Sequence, residues 1–460
     1  MNQEKISVAM PRRLPRYTSY PTALEFNDLG QETYIEWLED LSYCETDDQP
    51  ISLYFHIPFC EKLCWFCGCF TKISNSEAPV DRYLDVLRKE ISLVGGILSQ
   101  KGHKKKVSHI HFGGGSPTII KAEAFISLMS RIDKNFDIMS DAEIAVEIDP
   151  RTCSEHKVNA YARSGVNRVS IGIQDFNPDV QEAINRVQSN DLIADNMRWF
   201  RNAGITNINF DLIYGMPRQT LETIEETVIR TAHFKPSRIA LFGYAHVPWM
   251  KKHQQMMDKH HLPLQGERRA MFELASDKLQ KCGYEAIGLD HFALPGDSLL
   301  TARAEGRMKR NFQGYSADPA SVMIGFGASA IGSLPKGYAQ NSADLKIYTE
   351  SLERGEIPVR RGLNVTALDL MYRDVISALM SNFAVDPWAM SKAHGLDHDF
   401  SREKRDLDQL VSVGYLAKEG TLYGVTAAGQ PYLRAIATLF DQYFPQNSDI
   451  IDRCVHESEG

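Results

Sequence analysis

His56-Ile57-Pro58-Phe59-Cys60-Glu61-Lys62-Leu63-Cys64-Trp65-Phe66-Cys67-Gly68-Cys69 places four of the chain's eight cysteines within ten residues, spaced C-x3-C-x2-C-x-C. The stretch follows directly on an apolar, strand-like run from Ile51 to Ile57. Thiolates this crowded repel one another unless a metal centre takes up their charge, so the spacing points to an iron-sulfur or zinc site rather than to a disulfide. Cys60, Cys64 and Cys67 can hold three irons of a [4Fe-4S] cluster and leave the fourth open to a small molecule. A zinc knuckle that uses all four cysteines is the alternative, although tetrahedral zinc sites draw more often on two separated Cys/His pairs.

Outward from this loop, a chain of 460 residues is long enough for one large core and a smaller domain. Hydrophobic content of 43% and charged content of 24% are those of a globular protein. A net charge of -8 argues against nucleic acid as the main partner, because phosphate binding calls for an excess of Lys and Arg. The first residues lack the apolar core of a signal peptide, and no later run reaches the length of a spanning helix, so a cytoplasmic protein without membrane insertion is expected. Cys44, Cys153, Cys282 and Cys454 stand alone, which fits a reducing compartment.

From Ile51 the chain alternates strand and helix. Strands are expected at Ile51 to Ile57, Val107 to Phe112, Ala142 to Asp149, Val166 to Gln174, Thr206 to Ile213 and Arg238 to Ala245. Leu84, Leu87, Ile91 and Val94 recur at helical spacing between the first two, and Asp191 to Ala203 reads as a later helix closed by Gly204. Six strand-helix units imply an α/β fold with a parallel sheet, satisfied by a partial (β/α)6 barrel spanning 46–295. In such sheets reactive residues gather at the C-terminal strand ends, where the cysteine loop, Gly113 to Gly115, Glu147, Gln174 and Asp211 all fall.

Residues 1–45 read as an extended arm over the main domain, since Pro11, Pro15 and Pro21 block a regular helix. A seventh strand-like run, Tyr284 to Leu289, precedes an extension over 296–360. That extension holds the glycine-rich segment Ile324 to Gly332, read as backbone approaching a ligand or another strand. The remainder, 361–460, reads as a small, mainly helical, winged-helix-like domain. Its expected parts are helices over Thr366 to Ser381, Arg402 to Val413 and Ala427 to Tyr443, with a hairpin around Glu419-Gly420.

These residues match a particular family. The chain resembles the oxygen-independent coproporphyrinogen III oxidases of the radical S-adenosylmethionine (SAM) superfamily, nearly end to end. The resemblance rests on Arg16-Tyr17-Thr18-Ser19-Tyr20-Pro21-Thr22, the cysteine loop with Cys69, and Gly113-Gly114-Gly115-Ser116-Pro117-Thr118. It continues through Glu147-Ile148-Asp149-Pro150-Arg151, Gly172-Ile173-Gln174-Asp175-Phe176, Asn185-Arg186, Asp211-Leu212-Ile213-Tyr214-Gly215, Tyr244-Ala245-His246 and Asn311-Phe312-Gln313-Gly314-Tyr315. Ser116 stands where threonine is common in the family, and Trp65 where tyrosine is; both keep the polar or aromatic character.

The resemblance implies a [4Fe-4S] cluster on Cys60, Cys64 and Cys67, with SAM on the open iron. It implies that Cys69 is linked to activity without being a ligand. His56 is either a proton relay or a packed strand-end histidine. SAM contacts are expected from Tyr54, Phe66, Gly114, Gly115, Ser116, Glu147, Gln174, Arg186, Asp211 and Ala245. Gln313 and Ile331 match positions tied to cofactor binding, for one SAM or a second as well.

The implied reaction starts with one electron passing to the SAM sulfonium and hydrogen abstraction from the β-carbon of a propionate. Carbon dioxide and a second electron then leave, so that coproporphyrinogen III becomes protoporphyrinogen IX with two vinyl groups. Electron donor and acceptor are unassigned, and a monomer is expected. Arg12, Arg13 and Arg16 are candidate partners for a tetracarboxylate substrate. A haem-binding chaperone on the same scaffold and a haem-degrading, methyltransferase-like relative are the competing readings.

Overall fold

The computed structural model describes residues 14–43, 49–100, 102–312, 314–445, 450 and 454. Arg12, Arg13, Cys44 and Gln313 lie outside them. The chain forms two compact units, one of residues 26–308 and 315–366, the other of residues 1–25, 309–314 and 367–460.

The larger unit is built on strands β1 (Ile51–Ile57), β2 (Lys106–Gly114), β3 (Asp137–Ile148), β4 (Arg168–Gln174), β5 (Asn207–Tyr214) and β6 (Arg238–Gly243). These six are parallel neighbours in chain order, with Ile57 opposite Gly114, Ile148 opposite Ile171 and Gly172 opposite Asp211. Successive side chains of a strand point to opposite faces. One face is apolar: Leu53, Phe55, Phe112, Val146, Ile171, Phe210 and Leu241 are all buried in one core with Leu84, Leu87, Ile91 and Val94 of the helix Glu77–Leu98. The other carries Tyr54, His111, Glu147, Ser170, Asn209 and Asp211, joined by ring stacking and hydrogen bonds.

The sheet extends at both edges. Beyond β6, strands β7 (Glu285–Ile287) and β8 (His291–Ala293) form a hairpin that pairs antiparallel to β6, so the seventh run turns back instead of adding another parallel strand. On the far side, β9 (Met323–Phe326) runs parallel to β1 with Gly325 opposite Tyr54. Antiparallel strands β10 (Ile331–Leu334), β11 (Gly337–Asn341) and β12 (Val359–Asn364) follow. The glycine-rich segment therefore meets another strand. A Cβ on Gly325 would lie 2.7 Å from the Ile331 carbonyl carbon. Phe326, Phe55 and Phe112 stack at successive ring separations of 4.9 Å, which ties β9 to the core.

Three expectations are corrected. The third strand starts at Asp137, five residues before Ala142, because Asp137 and Ile138 pair with Lys106 and Val107 despite the polar stretch between. The first 45 residues are not one extended arm: the proline constraint ends at Pro21, and Gln31–Tyr43 is a helix of the larger unit burying Tyr34, Trp37, Leu38 and Leu41. Residues 14–25 belong to the smaller unit, where Tyr17 Oη donates to Asp441 Oδ2 at 2.9 Å.

In the smaller unit, helices Ala367–Asn382, Pro387–Ala393 and Ser401–Ser412 accompany an antiparallel sheet ordered Ala384–Val385, Leu422–Val425, Leu416–Glu419. The third correction falls here. In place of one helix from Ala427 to Tyr443 stand a 3-10 turn at Gln430–Tyr432, a short helix at Leu433–Ala437 and a second 3-10 turn at Thr438–Phe440. Pro431 removes a helical donor at the start. At the other end Asp441 turns extended, and its carboxylate takes the Tyr443 and Phe444 N–H groups.

Candidate active site

The cysteine loop leaves β1 through Pro58 and is fastened on several sides. Gly115 N donates to Ile57 O and Ser116 N to Phe59 O, so the turn after β2 carries the loop's base. Asn185 Nδ2 donates to Leu63 O at 2.8 Å, and Trp65 N to Ile184 O. From the segment after β6, Lys251 Nζ donates to Cys69 O, His253 Nε2 lies 2.8 Å from Cys67 O, and Gln254 Nε2 donates to Phe66 O. The carbonyls of Pro58 and Cys60 accept from Lys72 N and Ser74 N, where Phe59–Cys60 pairs with Lys72–Ile73, and beyond Cys60 these side chains take that role.

Cys60, Cys64, Cys67 and Cys69 are all free thiols; Cys64 is buried and Cys69 exposed. Burial pushes the Cys60 thiol up to about 11, only partly offset by the Thr71 hydroxyl, which donates to its sulfur at 3.2 Å. Cys67 is brought down to about 6 by the hydrogen bond from Cys69, which itself stays a thiol. Arg151 Nη2 and Arg186 Nη1 each lie 3.4 Å from Cys64 Sγ. Among the described residues no three His, Cys, Asp or Glu side chains converge on a single ion position. A [4Fe-4S] cluster needs one thiolate at each of three corners; Cys60, Cys64 and Cys67 are free to supply that number, and two guanidiniums stand beside Cys64.

Asp149 sits between the two arginines, 2.6 Å from Arg151 Nη2 and 3.4 Å from Arg186 Nη1. Burial would raise its carboxyl, but Arg186 and then Arg151 overcome this and hold it at about 2. Glu147, at the end of β3, is also held below the usual range against burial, chiefly by His111, whose Nε2 lies 3.1 Å away; Gly114 N donates to it as well. Asp211 accepts from Ser170 Oγ and Asn209 Nδ2, and burial pushes it up to about 6. Tyr54 Oη lies 3.0 Å from His56 Nδ1, and His56 Nε2 lies 3.0 Å from Phe70 O. With both ring nitrogens engaged and its pKa lowered by burial, His56 is a neutral imidazole that ties β1 to the end of the cysteine loop.

Most of the expected residues meet. Gly114, Glu147 and Gln174 lie at the C-terminal ends of β2, β3 and β4, Tyr54 and Asp211 stand further back on β1 and β5, and the thiols and Arg186 follow β1 and β4. A Cβ on Gly172 would touch both Gln174 Nε2 and Arg186 Nη2, which places those two side chains over one spot. Gln174 holds its place with a φ of 67°, unusual for a side chain that is not glycine. Gln254 joins Phe66 to Ala245. Ile331 lies across Gly325 from Tyr54. Ser116 differs: it is buried, with its hydroxyl 2.7 Å from that of Thr118. Gln254, Lys251, His253 and Thr71 were not anticipated, since each acts through tertiary contact and stands in no motif. Asp149 and Arg151 stood in a motif with no role given.

A model of the radical SAM superfamily matches residues 54–230. The oxygen-independent coproporphyrinogen III oxidase of Bradyrhizobium diazoefficiens is 42% identical over 96% of this chain and 97% of its own. That of Synechocystis is 38% identical over 95% and 94%. The solved structure of the radical SAM coproporphyrinogen III oxidase from Escherichia coli superposes with a TM-score of 0.87 at 36% identity, covering 93% of this chain and 97% of that one. Likeness of this extent, on a parallel sheet followed at its first strand by a loop of four free thiols, settles the kinship: the chain belongs to the oxygen-independent coproporphyrinogen III oxidase family of radical SAM enzymes, a membership that implies a [4Fe-4S] cluster and SAM.

Proposed function

We propose that this chain decarboxylates two propionate side chains of coproporphyrinogen III to vinyl groups, anaerobically and oxidatively, giving protoporphyrinogen IX for haem synthesis. The observation that supports the reading is Arg186 Nη1 at 3.4 Å from Cys64 Sγ, in a chain alike nearly end to end to such oxidases. When bound, the cluster and SAM supply the one-electron chemistry that removes a hydrogen from the propionate β-carbon.

The three thiolates hold the cluster, and Arg186 offers its guanidinium to the SAM carboxylate. Glu147 and Asp211 take the amine and ribose hydroxyls, while Tyr54, Phe66, Gly114, Gly115, Gln174, Ala245 and Ile331 line the remainder. Cys69, exposed and free of ligand duty, serves the reaction itself. The hydrogen bonds of His56 favour orientation of the loop over proton relay. Arg16 is exposed and is a candidate, with Arg12 and Arg13, to meet the substrate's carboxylates.

The sheet is read as a partial (β/α)6 barrel with a winged-helix-like companion. Among the described residues no helix is long and apolar enough to cross a membrane. A cytoplasmic monomer that binds no nucleic acid is the accompanying proposal.

Anaerobic incubation of the reconstituted chain with SAM, a reductant and coproporphyrinogen III tests this. Two vinyl groups and 5'-deoxyadenosine per product are expected. Absence of both sinks the reading, and stoichiometric haem binding or haem loss under the same conditions would replace it with the chaperone or the degrading enzyme.

A further inference from the structure

Arg151 is left without a task by the chemistry above. It follows β3 in the turn Asp149-Pro150-Arg151-Thr152, closed by Thr152 N donating to Asp149 O. Its Nε donates to Asp149 Oδ1 at 2.9 Å, and its Nη2 divides between Asp149 Oδ2 at 2.6 Å and Cys64 Sγ at 3.4 Å. Arg186 reaches the same sulfur but spends Nε and Nη2 on the Gly172 carbonyl. The side chains of Arg151, Asp149 and Arg186 are 14%, 10% and 8% exposed. Two guanidiniums and one carboxylate leave one net positive charge in this dry pocket, directed at one sulfur.

We propose that Arg151 is a positioning residue that makes the cluster easier to reduce, by donating a charged N–H to Cys64 Sγ and by bracing Asp149 against Arg186. This rests on Cys60, Cys64 and Cys67 being the cluster ligands. Reduction by a one-electron donor adds one negative charge to the cluster and none to the protein. A fixed cation at a ligating sulfur stabilises the reduced form more than the oxidised one. Hydrogen bonds to cluster sulfurs and nearby charge are the protein's means of setting such potentials. Arg186 serves less well as the constant partner, since it is also the guanidinium offered to SAM.

The test uses the full, reconstituted chain without SAM, so that turnover plays no part. Iron per chain and visible absorbance are measured first, then the reduced fraction by paramagnetic resonance during a dithionite titration. At the wild-type midpoint potential, R151Q and R151M with full iron should show a reduced-to-oxidised ratio about tenfold lower, as expected for loss of one charged hydrogen bond. R151K should fall between. An unchanged ratio in R151Q and R151M overturns the proposal, as does loss of iron from all three variants, which would make Arg151 a clamp of the loop. A wild-type chain without iron would instead take down the ligand assignment, and this proposal with it.

Discussion

Gln254 donates one amide to two carbonyls, Phe66 O at 3.0 Å and Ala245 O at 3.2 Å, while its Oε1 accepts from Val247 N at 2.6 Å. It is 1% exposed. One buried side chain thus holds the cysteine loop to the end of β6, so that Phe66 and Ala245, both expected at the cofactor, keep a fixed separation.

Gln254→Leu leaves two buried carbonyls and an N–H unpaired, at about 1–3 kcal/mol for each buried group left so. The expected outcome is a folded chain of lower thermal stability with SAM affinity weakened about tenfold. Calorimetry and equilibrium binding of SAM check it, and unchanged affinity would remove Gln254 from the site.

The four thiols separate by iron content. Serine at Cys60, Cys64 or Cys67 should remove most of the iron, whereas Cys69→Ser should keep it and abolish turnover. Iron analysis beside product formation decides, and iron loss from Cys69→Ser would make Cys69 a ligand.

Gly114 has a φ of 113°, and a Cβ there would lie 2.7 Å from His56 Cε1. The His56 ring cannot yield, being held by Tyr54 and Phe70. Gly114→Ala should therefore cost about 2 kcal/mol or more, from strain and clash together. Urea unfolding of the metal-free chain measures it, and a cost below about 0.5 kcal/mol would show that the turn relaxes freely.

Glu90, wholly buried on the helix Glu77–Leu98, accepts from Gly327 N, Asn341 Nδ2 and Tyr348 Oη. Burial still pushes its carboxyl up to about 7 from 4.5. The folded state thus holds this proton more tightly than the unfolded one, so the group's contribution is whole below about pH 4.5 and declines as pH rises towards 7. Wild type should lose up to about 3 kcal/mol relative to Glu90→Gln across that interval. Paired urea titrations at pH 5 and pH 8 check it, and parallel curves would refute it.

The site and fold were legible in unequal parts. β1 and the helix behind it were readable because apolar residues at period 2 and period 3.6 need only local sequence. The start of β3 was not, since Asp137, Ser140 and Asp141 interrupt the apolar pattern and the segment is recruited by pairing of Asp137 and Ile138 with β2. The reversal into β8 was equally hidden, because Asp290 and His291 look alike in a strand or a turn. The Ala427 to Tyr443 helix failed where Pro431 and Asp441 outweighed apolar spacing.

By itself the sequence determined the three-cysteine spacing, the alternation of strand with helix and the placing of Glu147, Gln174 and Asp211 near strand ends, since all are set within a few residues along the chain. Only the tertiary structure decided that Arg151 reaches a sulfur 87 residues away and that Gln254 closes the loop on β6 across 188. Such pairings follow from sheet register and burial, which bring unpaired polar groups of distant segments into the same dry space and leave them one another as partners.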